Sequence, residues 1–182
     1  MKRMNRYFEK MKGITKSPPA VSYSEVIWSW IGAFLGILPV AWMNYHLFPS
    51  PVYEFIVGSF GASAVLIYGA IRSPLAQPRN LIGGHLISAV IGVASYKLLY
   101  FNIGLAAPVA VATAIAAMHL TKTLHPPGGA TALIAVIGSD KIHQMGFMYA
   151  LVPVGLGAAI MLLVALIVNN IPNSRRYPEF WL

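Results

Sequence analysis

Apolar residues in this chain come in long unbroken runs, not in alternation and not as one-sided stripes. Runs occupy roughly 24–45, 53–71, 81–100, 104–121 and 145–169. A run of about 18 or more apolar residues with few charges reads as a membrane-spanning helix, whereas one-sided periodicity would read as a surface helix. Polar breaks separate the runs: His46 to Pro51, Arg72 to Asn80, Thr123 to Gly129, and Asp140 to His143. The stretch between the last two breaks is shorter. From Gly128 to Ser139 a helix covers about 18 Å, against about 30 Å of hydrocarbon. It predicts either a half-helix starting at depth or a poorly spanning segment. The pattern therefore predicts an all-α fold: a polytopic transmembrane helix bundle of five to six membrane segments, with a short or broken helix after His125-Pro126-Pro127-Gly128-Gly129. Residues 1–23 form a basic N-terminal tail, 24–170 the membrane domain and 171–182 a C-terminal tail.

Local signals sharpen these elements. Ser22 and Glu25 have the spacing of a capping box, with Glu25 reaching back to the cap. Trp28, Trp30 and Trp42 stand toward the two ends of the first span, where interfacial aromatics belong, and Pro39 predicts a kink. The second span is rich in small residues, among them Gly58, Gly61 and Ser63, which let membrane helices approach closely. It begins beside Glu54. Lys97 and Tyr100 anchor the far end of the third span by snorkelling. Two consecutive prolines end a helix and can open one, so one helix ends before Leu124 and the next starts near Pro127 or Gly128.

Composition agrees. The chain is 57% hydrophobic and 10% charged, where a soluble domain carries about 25% charged residues; its mean hydropathy is +0.66. The net charge of +8 is thus a matter of topology, not of nucleic-acid binding. With six segments and the N-terminus inside, only Lys97 and Lys141 of the 13 Lys and Arg residues fall outside, a strong positive-inside bias. Without cysteine there is no disulfide framework, haem attachment or thiolate metal site, and no cofactor is indicated. The first apolar run is too long for a signal-peptide core and has no small-residue cleavage site after it.

Candidate chemistry gathers at two breaks. Ala89-Val90-Ile91-Gly92 recurs as Ala135-Val136-Ile137-Gly138, 46 residues later, and a polar break precedes each copy. Chance likeness between apolar segments is one reading; a parallel duplication, with both breaks on the inner face, is the other. In either case two helix N-termini lie near one face, each carrying about +0.5 charge and unpaired N–H groups. Gly83, Gly84, Gly128 and Gly129 would let a ligand approach the backbone. Arg79 and Lys122, with Arg72 nearby, add positive charge, and Asn80, His85, His119 and His125 add hydrogen-bonding groups. No acidic residue lies in either break or in a span interior. That set suits a small anion and not a hard cation, which wants carboxylates. Each residue also has a plainer reading: the arginines as headgroup anchors, Lys122 as a snorkelling cation, His119 as a packing histidine, His125 as a local cap, the glycines as helix-crossing points. His119 and His125 do not have a standard metal-ligand spacing. No nucleophile–base motif marks an enzyme.

These segments resemble the HPP family of integral membrane proteins. The resemblance rests on Ser73-Pro74-Leu75-Ala76-Gln77-Pro78-Arg79-Asn80, Gly84-His85, and Thr123-Leu124-His125-Pro126-Pro127-Gly128-Gly129-Ala130-Thr131-Ala132, and covers roughly residues 24–170. The family is described with four transmembrane helices. Its members in cyanobacteria and plant chloroplasts are associated with nitrite transport, and some bacterial members carry C-terminal CBS domains. The resemblance implies transport of a small inorganic anion, nitrite first. The expected setting is a bacterial or cyanobacterial plasma membrane, with the N-terminus cytoplasmic. Small-residue faces suggest a homo-oligomer. A transition-metal or cation transporter using the histidines, and a non-transporting sensor or scaffold, are the alternatives.

Overall fold

The structure is a computed structural model that describes residues 2–12, 15–46 and 58–182. The described residues form helices only: α1 (Lys2–Glu9), α2 (Tyr23–His46), α3 (Ser59–Ala64), α4 (Pro78–Leu99), α5 (Ile103–Leu120), α6 (Pro126–Ile137), α7 (Asp140–Met145) and α8 (Leu156–Val168). α3 continues as a π-helical stretch, Val65–Gly69, and a second such stretch, Ala150–Gly155, leads into α8. The expected turn from His46 to Pro51, the start of the second span and Glu54 lie outside the described residues. The basic tail is not wholly irregular, since α1 occupies part of it.

Four helical runs are long and apolar enough to cross a membrane: Tyr23–His46, Pro78–Leu99, Ile103–Leu120 and Ala150–Val168. Two shorter apolar helices, Ser59–Gly69 and Pro126–Ile137, stand between them. Four long spans and two short helices thus accommodate both the five to six segments read from the sequence and the family's count of four.

Hydrogen bonds show which ends lie together. Arg175 reaches Glu25 at the start of α2, the Tyr177 hydroxyl donates to Ala76 O at 2.7 Å, the Glu179 N–H donates to Gln77 Oε1 at 2.8 Å, and Asn80 Nδ2 donates to Leu124 O at 2.9 Å. The start of α2, the 70–77 loop, the 121–125 turn and the C-terminal segment therefore share one face, called proximal below. The turn after α4 and helix α7 mark the distal face, where His143 stacks on Tyr96 with rings 3.6 Å apart.

α4 and α6 run in parallel. A Cβ on Gly84 would meet the Cβ of His125 at 2.5 Å, and one on Gly92 would meet Ala132 O at 2.6 Å. Contacts thus advance together along both helices, and the His143–Tyr96 stack carries the same direction through α7. Residues 126–145 therefore accompany α4 across the bundle. Gly84 is six residues into α4, so α6 opens about 9 Å below the start of its neighbour. It is a half-helix starting at depth. α5 packs against both through Ala106, Ala110 and Ala114, all fully buried at a four-residue spacing, the small-residue stripe that lets membrane helices approach closely.

Local chemistry explains the ends. Gln77-Pro78 and His125-Pro126 occupy equivalent positions: an extended cap residue followed by proline in the first turn, where the missing N–H would have had no partner. α5 ends when Lys122 turns left-handed at φ 57°. The N–H of Thr123 then returns to Met118 O and that of Lys122 to His119 O, the Schellman pattern usually made by glycine. The capping box is half formed. The Glu25 N–H bonds to Ser22 Oγ, but the Glu25 carboxylate does not turn back to the cap; it holds Arg175.

Candidate functional site

The most polar point inside the bundle is where α3, α4 and α6 meet. α4 contributes His85 and α6 is capped by His125, with ring centroids 5.0 Å apart. α3 places Ser63 between them: its Oγ lies 2.7 Å from His85 Nε2 and 2.9 Å from His125 Nε2. The outer nitrogens are also engaged. His125 Nδ1 sits 2.8 Å from the Leu75 carbonyl, and His85 Nδ1 sits 2.8 Å from Thr131 Oγ1. Thr131 in turn reaches Ser59 Oγ at 2.8 Å and Pro127 O at 3.3 Å. The Tyr149 hydroxyl donates to Thr131 O. His85, His125, Ser63 and Thr131 are all fully buried, and Phe60 closes over His85 edge to face at 5.4 Å. Every ring nitrogen of the pair has a partner, which such burial requires.

The other candidate residues fall into three positions. Gly84 and Gly128 form the α4–α6 crossing. A Cβ on Gly128 would stand 2.6 Å from Ser88 Oγ and 2.9 Å from Gly84 O, while one on Gly83 would stand 2.6 Å from Thr123 Cγ2. Gly129 has more room, its nearest such neighbour being Val111 at 3.9 Å. Arg79 and Asn80 lie in the first turn of α4, at the proximal edge of the crossing. The Arg79 guanidinium sits over the Phe180 ring, 5.7 Å from its centroid. Arg79 Nε and Asn80 Oδ1 are buried without a hydrogen-bond partner. His119 and Lys122 are exposed at the end of α5 and do not join the pair.

The two helix N-termini differ as anion sites. In α6, prolines occupy the first two positions and the Gly128 N–H already bonds to His125 O. In α4, the N–H groups of Arg79 and Asn80 precede the first intrahelical bond, from Leu81 N to Gln77 O. The α4 start is therefore the more open of the two. A cleft of about 470 Å³ opens on the same face, lined by Ser22, Glu25, Arg72, Ser73 and Arg175. It shares the 70–77 loop with the histidine pair, though neither histidine lines it.

The network contains more than the sequence pattern singles out. Every link of it ends on Ser63, Thr131 or the Leu75 carbonyl, and Ser59 extends it. Ser59 and Ser63 are four residues apart, hence on one helix face, which is the signal available for them. In an apolar span that spacing equally suits plain close packing. Thr131 closes the His125-Pro126-Pro127-Gly128-Gly129-Ala130-Thr131 stretch.

Four long apolar spans, two shorter apolar helices and a buried polar network at their junction, among the described residues, define a polytopic integral membrane protein. The chain belongs to the HPP transmembrane family, whose model matches residues 18–178. Two proteins of Dictyostelium discoideum, each described only as a transmembrane protein, are similar to it. One is 49% identical over 179 residues and the other 46% identical over 181, each alignment covering 97% of this chain. The chain spans 57% and 63% of the length of these two relatives. No solved structure matches the chain significantly.

Proposed function

We propose that this protein carries a small inorganic anion across the membrane, with nitrite the first candidate because of what the HPP resemblance implies. The observation behind this reading is the histidine pair buried at the α3–α4–α6 junction beneath Arg79, in a setting without acidic residues. α3, α4, α6, α8 and the 70–77 loop bring no Asp or Glu to it. Ionisable side chains inside a membrane domain mark ligand or proton pathways far more often than they serve packing. Glu25 and Glu179 stand on the proximal face, but arginines and a lysine outnumber them there and no carboxylate reaches the pair, a surround that favours a negative ligand over a metal cation. Arg79 attracts the anion, the N–H groups of Arg79 and Asn80 replace part of its hydration at the α4 N-terminus, and His85 and His125 lie on its path further in. The proximal face, with Arg72, Arg79, Lys122, Arg175 and Arg176, is the cytoplasmic one on this reading. The protein acts as a transporter and not as an enzyme.

Among the described residues no three His, Asp or Glu side chains come together as a metal site. The test is nitrite uptake into proteoliposomes containing the purified chain. Uptake is expected to fall at least tenfold in Arg79→Ala and in His125→Ala. Uptake unchanged in both variants overturns the site assignment, and no protein-dependent uptake of nitrite, nitrate, formate or chloride overturns anion transport.

A further inference from the structure

Four links join Leu75 O, His125, Ser63, His85 and Thr131. Each link needs one hydrogen. A carbonyl only accepts, so His125 Nδ1 must donate to Leu75 O. A neutral His125 then accepts at Nε2, which uses the single hydrogen of Ser63. Ser63 must accept from His85 Nε2–H, and His85 Nδ1 is left to accept from Thr131. With the Thr131 hydroxyl turned inward, two neutral imidazoles and two hydroxyls satisfy all four links, every donor pointing toward Leu75.

Thr131 has outward partners as well, Ser59 Oγ and Pro127 O. When its hydroxyl donates to either, the His85–Thr131 link loses its hydrogen, and only a second N–H on His85 restores it. The same four links then hold a third imidazole hydrogen. Rotation of one hydroxyl therefore converts a network complete for a neutral pair into one complete for a pair bearing one extra proton. A second extra proton would place two imidazolium rings, centroids 5.0 Å apart, on one Ser63 oxygen, and like charges that close disfavour it.

We infer that the Ser63-bridged His85–His125 pair is a single-proton binding site, with reversal of the Thr131 hydroxyl as its compensating move. Uptake forms one N–H bond on an imidazole, breaks one O–H bond of a hydronium ion and releases water. The net charge rises by one, and the elements packed around the pair supply no carboxylate to balance it. Their charged and titratable groups are Arg72 in the 70–77 loop, Arg79, Tyr96 and Lys97 on α4, Lys122 in the 121–125 turn, Tyr68 after α3 and Tyr149 before α8, with Tyr177 and the exposed Glu179 on the far side of the loop. Tyr149 donates to Thr131 O and Tyr68 to Met161 O. Resting on the transport reading, the site implies that one proton accompanies each monovalent anion.

Nuclear magnetic resonance of 15N-histidine in the full chain, reconstituted in nanodiscs, tests the site without requiring transport. At neutral pH the rings are expected as opposite tautomers, His125 protonated on Nδ1 and His85 on Nε2. On acidification one shared protonation is expected for the two rings. Ser63→Ala should split it into separate responses, while Thr131→Ser, which keeps the hydroxyl, retains it. Identical tautomers, or a shared response that survives Ser63→Ala, would overturn the proposal. Anion flux in proteoliposomes is read separately. Its absence alongside the expected spectra refutes the transport reading and leaves the proton site standing; flux alongside contrary spectra does the reverse.

Discussion

Gly84 shows how much one missing side chain decides. Its added Cβ would lie 2.5 Å from His125 Cβ and 2.8 Å from Thr123 O, and a backbone carbonyl in a packed turn cannot move aside. Gly84→Ala is expected to destabilise the protein by about 1–3 kcal/mol, the usual cost of overpacking, and to disturb the histidine pair. Gly61→Ala is the control, because nothing lies within 4 Å of that Cβ; its midpoint of thermal unfolding in detergent should stay at or above that of the parent. Lys122 is the opposite case, a side chain where glycine would be easier. Its left-handed backbone at φ 57° costs a non-glycine residue about 1 kcal/mol. Lys122→Gly should therefore raise the unfolding midpoint, and a lowered midpoint would show that the lysine side chain holds the turn by contacts that outweigh this strain.

Between elements, the strongest polar tie joins α2 to the segment after α8. Arg175 is 5% exposed. It grips Glu25 through both carboxylate oxygens at 3.0 and 2.7 Å, and also donates to Ser29 Oγ and Asn169 Oδ1. Asn169 passes the connection on to Ile67 O. Nearby, burial pushes the Tyr177 phenol above its ordinary value, so it remains a donor to Ala76 O across the physiological range. Removing one partner of a buried ion pair leaves an uncompensated charge and costs about 3 kcal/mol or more. Glu25→Gln should lower the unfolding midpoint and expose the peptide bond after Arg176 to trypsin. Unaltered cleavage and an unaltered midpoint would show that the pair contributes nothing to holding the C-terminal segment.

For the whole molecule, these contacts fix the number of crossings. The start of α2 and the segment after α8 share the proximal face, so the chain crosses an even number of times, although among the described residues four helices are long enough to span alone. The absence of cysteine makes this directly measurable. Single cysteines at Ser17 and Ser174 should be labelled by an impermeant maleimide from the same side of oriented vesicles, and one at Asn102 from the other. Labelling of Ser17 and Ser174 from opposite sides would contradict the arrangement. Labelling of both from the outside of intact cells would contradict the cytoplasmic assignment of the proximal face.

The chain's own pattern determined that it is helical, that it lives in a membrane, and where its helices break, because unbroken apolar runs and paired prolines act through local rules of solvation and backbone geometry. It also marked His85 and His125 as unusual, since a titratable group in an apolar run is conspicuous in one dimension. Tertiary structure alone decided that α6 opens at depth beside Gly84, that Gly84 and Gly128 serve the helix crossing, and that His119 and Lys122 face away while Arg175 turns inward to Glu25. It also decided that Ser63, 22 residues from one histidine and 62 from the other, bridges the two. Such facts depend on which helix faces meet. In a membrane, where lipid is as apolar as the core, hydrophobicity does not record that choice; it is made by small residues and a few hydrogen bonds between distant positions.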